Sequence, residues 1–253
     1  MTAPVPNPAP LPSSWGGPLT EQDYAALSSS WITREIADAA MLRRVDAYEG
    51  REVIGQKGNR DCAGILIPYY WPGQPHAHTY RLRRDHPDWK TGSDGRPKLD
   101  KKYLAPPGSS NRLYLPPGID QEQLQDVATP IVISEGEKKG LALSRLARYE
   151  TERGRFIPVA IPGVWSWRGV TGKANGPNGE RISLKGPIND LDRLAWKGRR
   201  VLIVFDTNVH TVDSVRWARI GLARELATRG SEVEFVNLPQ DCGVNGIDDL
   251  LGI

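Results

Sequence analysis

Two apolar runs in the C-terminal half of this 253-residue chain each stop at an acid. Ile131-Val132-Ile133 leads into Glu135, and Val201 to Phe205 leads into Asp206, with Asn208 two positions on. Short uninterrupted apolar runs read as buried strands. In a parallel sheet ligands gather outside the carboxyl ends of the strands, so both acids stand where chemistry is done. Carboxylate oxygens suit a hard cation, Mg2+ (or Mn2+), which keeps several waters and is completed by substrate phosphates. Gly136 after the acid lets the amides of the next helix approach a phosphate. The plainer alternative is that Glu135, Glu137 and Asp206 cap helices.

The elements that must position these acids follow from periodicity. Pro130 to Ile133 predicts a strand, Lys138 to about Arg153 a helix, and Ile157 to Ile161 a second strand ending at Pro162-Gly163. Trp165 to Pro187 is a glycine-rich excursion of low periodicity, and Leu191 to Trp196 predicts a short helix. After Val201 to Phe205, residues from about Asp213 to Arg229 place Val215, Ala218, Leu222 and Leu226 on one helical face, with Gly230 closing it. Val233 to Leu238 predicts a further strand. Strands alternating with helices imply an α/β fold, a mainly parallel sheet flanked by helices.

The N-terminal half has a different character. Six prolines in the first eighteen residues predict an extended tail over 1–18. From Leu19 to about Ala47 two short helices are expected: Thr20 with Asp23 forms a capping box, and Thr33 caps the second helix. Gly64 to Tyr70 and the alternating Thr79 to Arg83 predict an antiparallel pair. Between Tyr80 and Arg112 nine bases stand against four acids, a local surplus of five in a chain whose net charge is +3. Arg81, Arg83, Arg84, Lys101 and Lys102 alternate there with Tyr80, Trp89 and Tyr103, as on a surface that holds phosphates and stacks bases. A solvated loop region with a small aromatic core is the other reading. Residues 119–129 read as a connector, which divides the chain into a tail at 1–18, an α+β basic module at 19–127 and an α/β domain at 128–253.

The ordered set Glu135-Gly136-Glu137-Lys138-Lys139, Pro162-Gly163-Val164-Trp165-Ser166-Trp167, Asp206-Thr207-Asn208 and Gly246-Ile247-Asp248-Asp249 resembles the motifs of a Toprim domain. It is similar above all to the Toprim-like domain of uncharacterised replication proteins of phages, plasmids and other mobile elements. Lys101-Lys102-Tyr103-Leu104 resembles the segment that precedes Toprim in bacterial-type primases. The resemblance implies that Glu135 is a general acid or base, or a carboxylate near the metal. It implies that Asp206 binds the metal, with Asn208 in place of the family's second acid, and that Lys138 or Lys139 contacts a phosphate. The activity implied is magnesium-dependent nucleotidyl transfer on single-stranded DNA or RNA with nucleoside triphosphates, in company with a separately encoded helicase or polymerase. A non-catalytic nucleic-acid-binding adaptor and a magnesium-dependent nuclease are the alternatives. Asn208 weakens any second metal; Asp213, or Asp248 with Asp249, could compensate, while Asp213 equally suits an N-cap and Asp248 a turn.

Other signals exclude or yield little. Gly169 to Lys173 lacks the phosphate-loop spacing, since Trp167 stands where its first glycine belongs. His76 and His78 have no third metal ligand nearby and are expected to be exposed. His210 is a candidate neighbour of Asp206, and Trp165 and Trp167 either stack on a base or seal the sheet end. Arg216, Arg219 and Arg224 are expected on a solvated helix face. Cys62 and Cys242 lie too far apart in sequence for a zinc pattern or disulfide framework, which favours the cytosol. No segment approaches the ~18 apolar residues of a membrane span, so no membrane partner is expected.

Overall fold

A computed structural model describes residues 15–92, 95–151, 154–240 and 242–253. Most of the proline-rich segment, together with Asp94 and Arg153, lies outside the described residues. The chain forms two compact units, one of residues 1–25 and 37–109 and the other of 26–36 and 110–253.

The first segment of the first unit ends within α1 (Glu21–Ser28); the unit resumes within α2 (Arg34–Ala39) and continues through β1 (Arg43–Val45), α3 (Ala47–Ile54), β2 (Gly64–Tyr69) and β3 (Thr79–Arg84). It ends with β4 (Asp88–Thr91), β5 (Pro97–Asp100) and β6 (Tyr103–Leu104). The Thr20 box forms as expected: Thr20 N–H donates to Asp23 Oδ2 at 2.9 Å and Asp23 N–H to Thr20 Oγ1 at 3.2 Å. An antiparallel sheet in the order β1-β2-β3-β6 pairs Leu66 with Leu82 and Leu82 with Leu104. These residues join Val45, Ile54, Cys62, Ala77 and Tyr80 in one core. The hairpin of β4 and β5 is exposed along both strands.

The second unit runs α4 (Gln121–Gln125), β7 (Ile131–Glu135), α5 (Glu137–Ala147), β8 (Ile157–Ile161), β9 (Arg168–Asn175), β10 (Arg181–Pro187), β11 (Arg200–Val204), α6 (Asp213–Thr228), β12 (Glu232–Val236) and α7 (Ile247–Leu251). Four strands form a parallel sheet in the order β12-β11-β7-β8. The unit is therefore mixed α/β, a parallel sheet flanked by helices. Every residue of β8 is buried, as expected of a parallel strand covered on both faces. Val132, Leu143, Val204, Leu238 and Ile247 pack together across β7, α5, β11 and α7.

Several local expectations change. The connector at 119–129 contains α4, because Asp120 and Gln123 form a capping box. Arg199, fully buried, donates to the carbonyls of Leu124 and Gln123, both at 3.1 Å, and of Asp126, which ties that helix down. The segment from Leu191 is a 3-10 turn over Asn189–Arg193, not an α-helix. The glycine-rich excursion is an antiparallel ribbon of β9 and β10, whose exposed alternation carries little hydrophobic signal. Among the described residues no helix is long and apolar enough to cross a membrane.

Gly50 tests the packing of the first unit, since a Cβ on it would lie 2.0 Å from the Cys62 carbonyl oxygen. Alanine is better than glycine inside a helix by about 1 kcal/mol, but overlap with backbone costs about 1–3 kcal/mol. Gly50→Ala is expected to lower the thermal midpoint; an unchanged or higher midpoint would show that α3 can shift away from Cys62 without loss.

Candidate functional site

The parallel register sets Ser134 of β7 beside Val204 of β11, so the two chains leave the sheet at the same edge. Gly136 follows Glu135 with φ +90°, a conformation that costs a side-chain-bearing residue, and its N–H donates to Ile161 O at 2.8 Å. This turn starts α5 at Glu137 and places Lys138 and Lys139 in its first turn. Cations at a helix N-terminus oppose the helix dipole and therefore need anions nearby.

Two carboxylates supply them. Lys139 Nζ lies 3.0 Å from Asp206 Oδ1 and 4.0 Å from Asp248 Oδ1, while Lys138 Nζ lies 3.9 Å from Asp248 Oδ2. Asp206 heads a 3-10 turn over Thr207–His210. The segment before α7 locks onto that turn: Thr207 N–H donates to Asn245 O at 2.9 Å, and Asn245 Nδ2 donates to Asp206 Oδ2 at 3.1 Å. Asp249 turns inward on its own helix, accepting from Asn245 N–H at 3.1 Å and Gly246 N–H at 3.0 Å. A Cβ on Gly246 would lie 2.2 Å from Lys139 Cε, 2.7 Å from Asp248 Oδ1 and 3.1 Å from Asp206 Oδ1. The absence of a side chain there is what admits the lysine arm.

Burial pushes the Asp206 carboxyl above its usual 3.8; Lys139 and the Asn245 amide oppose that rise, and the charge of Asp248 adds to it. Burial pulls Lys139 down, but Asp206, Asp248 and then Glu135 outweigh it and hold the ammonium above 10.5. The lysine therefore stays cationic at neutral pH. Glu135 is half-buried, whereas Glu137 is buried and, after burial itself, helps push the Tyr114 phenol upward.

The same edge carries polar atoms without protein partners. Ser134 Oγ, Asn208 Oδ1, His210 Nε2 and Trp167 Nε1 are all buried and lack a hydrogen-bond partner. Ser134 is fully buried and Trp167 is 5% exposed. Buried polar groups are ordinarily satisfied by protein, solvent or ligand, so this edge has unused binding capacity. Trp165, 42% exposed, stacks on Trp167 with centroids 6.3 Å apart.

Glu135, Lys138, Lys139, Asp206 and Asn208 thus all stand at the carboxyl edge. Asp248 joins them, while Asp213 is exposed and pairs with Arg216 at 2.9 Å. Asn245 had no sequence signal, because its role depends on a turn almost forty residues away. Among the described residues there is no group of three or more His, Cys, Asp and Glu side chains that could hold a metal ion. Arg219, expected on a solvated face, is buried, donates to Asn237 Oδ1 at 2.8 Å and lies over the Phe235 ring at 4.4 Å.

In the first unit, alternation puts Arg81 and Arg83 on one face of β3, and Arg81 lies over the Tyr103 ring at 4.8 Å. Lys101 and Lys102 are exposed. Arg84 faces the other way. It is 1% exposed and donates to Asp61 O at 2.6 Å, His86 O at 3.0 Å and both Asp88 oxygens, so it braces the protein and is not a surface contact for a ligand. His78 is likewise buried, stacked on Trp71 and edge-on to Tyr69. The β9–β10 ribbon adds Arg168, Lys173, Arg181 and Lys185 and no acid within its strands. Pairing of Ser183 with Lys173 and of Arg181 with Asn175 puts two of these bases on the face opposite Ile182 and Leu184.

A family model described as Domain of unknown function (DUF3854) matches residues 121–252, just over half of the chain and all of the carboxyl-edge cluster. No curated protein and no solved structure matches.

A carboxyl whose folded value is raised takes up its proton before the unfolded chain does. Its contribution favours folding below 3.8 and fades as pH rises through the folded value. Carbon-detected NMR titration of Asp206 should give a midpoint above 3.8. A midpoint at or below that value would mean the lysine outweighs burial.

Proposed function

We propose that this chain, which belongs to the family described as Domain of unknown function (DUF3854), is a replication protein with a Toprim-like, primase-related α/β domain that performs magnesium-dependent nucleotidyl transfer on single-stranded DNA or RNA. The observation that carries this reading is the convergence of Asp206, Asp248, Lys138 and Lys139 beside the Glu135-Gly136 turn, at the carboxyl edge of a parallel sheet.

The donor set fits one hard cation. Asp206 and Asp248 offer carboxylate oxygens, and Asn208 Oδ1 is a buried acceptor without a partner. Among the described residues no three acids are grouped closely enough to hold a metal by themselves, so such an ion would keep waters and take substrate phosphate oxygens. A two-ion centre is disfavoured, because Asn208 brings no charge. When bound, Mg2+ or Mn2+ supplies charge neutralisation on the phosphoryl group.

The side chains do the rest. In this reading Glu135 accepts the proton of an attacking hydroxyl, and Lys138, together with the first amides of α5, holds a phosphate at the helix N-terminus. Arg81, Arg83, Lys101 and Lys102 supply phosphate contacts from the first unit, and Tyr103 a ring for stacking. A separately encoded helicase or polymerase would supply unwinding or extension.

A second reading, a non-catalytic adaptor, is favoured by one observation: Lys139 already neutralises Asp206. Incubation with single-stranded DNA, nucleoside triphosphates and Mg2+ or Mn2+ separates the two. Primer products are expected from the wild type, with a loss of roughly 100-fold or more in Asp206→Asn and Glu135→Gln, the scale of removing a group that stabilises transition-state charge. Shortened DNA would replace polymerisation with a nuclease activity. Salt-sensitive binding with no product, unchanged in both variants, would overturn catalysis and leave the adaptor.

A further inference from the structure

We infer that Lys139 is the built-in cation of this site: its ammonium holds the position between Asp206 and Asp248 that a divalent ion requires, so that lysine and ion exclude one another. The inference deepens the divalent-cation reading above and rests on it.

The geometry is specific. The ammonium touches Asp206 Oδ1 at 3.0 Å and reaches Asp248 Oδ1 at 4.0 Å, so it spans the two carboxylates. Asn245 Nδ2 occupies the other Asp206 oxygen at 3.1 Å and fixes which one faces the lysine. Gly246 is a separate sign that the lysine arm and the two carboxylates are packed closely together, since even a methyl group on it would come within 2.2 Å of Lys139 Cε, 2.7 Å of Asp248 Oδ1 and 3.1 Å of Asp206 Oδ1. A magnesium-sized ion binds oxygens at about 2.0–2.1 Å. Placed on Asp206 Oδ1, it would stand against the ammonium that now fills that approach, and two cations so close in a half-buried site repel strongly.

Lysine is suited to leaving. Its charge sits at the end of a flexible four-carbon arm that carries three donors, so the ammonium can swing from carboxylate to phosphate without losing its proton. A bare ion must displace the lysine and leaves it unpaired. An ion that arrives with nucleotide phosphates brings the anions that receive it. The site therefore favours the cation bound to its phosphate substrate over the free cation.

The test uses the full chain and Mn2+ alone, read by the loss of the free-ion paramagnetic signal and by the shift in thermal midpoint. Lys139→Met is expected to bind Mn2+ at least tenfold tighter than the wild type. Mn2+ should raise the midpoint of the variant at concentrations that leave the wild type unmoved, and adding Asp206→Asn should abolish the gain. Lys139→Gln keeps a polar arm of similar reach and removes its charge; it should tighten Mn2+ binding in the same direction, and it carries the test if Lys139→Met does not fold. Mn2+ binding to the wild type with no gain in either variant would overturn the exclusion and leave the cation site standing. No binding to the wild type or either variant would overturn both.

Discussion

The second unit is organised by one electrostatic constraint: two lysines begin a helix whose N-terminus already repels them. A parallel sheet delivers the carboxyl end of each strand and the start of the following helix to the same edge. At β7 that edge receives Lys138 and Lys139 beside Glu135 and Glu137, and the ion-pair partners of the lysines come from elsewhere in the chain. Asp206 comes from the end of the neighbouring strand, and Asp248 from α7, more than a hundred residues away in sequence. Register, the Gly136 turn and the docking of residues 245–249 onto the 207–210 turn are thereby coupled. Each brings one charge to a place where the others are already waiting.

Buried arginines solve a related problem by other means. Arg84 and Arg199 spend their donors largely on backbone carbonyls, the first around β3 and the second at the end of α4. A guanidinium used this way ties down chain that has no regular partner, and its charge is dispersed over several carbonyl dipoles. The lysine cluster lacks this dispersal. Its ammonium groups face carboxylates, and a flexible arm against a carboxylate is exchangeable in a way that a guanidinium saturated by carbonyls is not.

What was legible in the sequence follows the range of the forces involved. The strand-end acids were readable because β7 and β11 are continuous apolar runs, and the Thr20 box because both partners lie within one turn. Placing Lys138, Lys139, Asp206 and Asn208 at one edge needed only the rule for parallel strands. What escaped was set by contacts distant in sequence. Alternation sets Arg84 on the face opposite Arg81 and Arg83, but neither composition nor charge tells which side of the sheet is covered. The ribbon of β9 and β10 is stabilised by its own cross-strand pairing with its side chains largely exposed, so it has no apolar period to detect. Nothing local shows that Gly246 makes room for Lys139 beside Asp206, so that ion pair has no sequence signal.

Asn208 and Lys139 then act in the same direction on the charge of the site. Glu135, Asp206 and Asp248 bring three negative charges and Lys138 and Lys139 two positive ones, a residual of about one negative charge with every group ionised. An acid at 208 would have doubled that residual. With the asparagine, a divalent ion entering alone reverses the sign of the cluster, and the desolvated like charges make this costly. An ion carrying phosphates restores a negative total and gives both lysines new partners. One neutral side chain and one well-seated ammonium thus hold the edge close to charge balance without any ion.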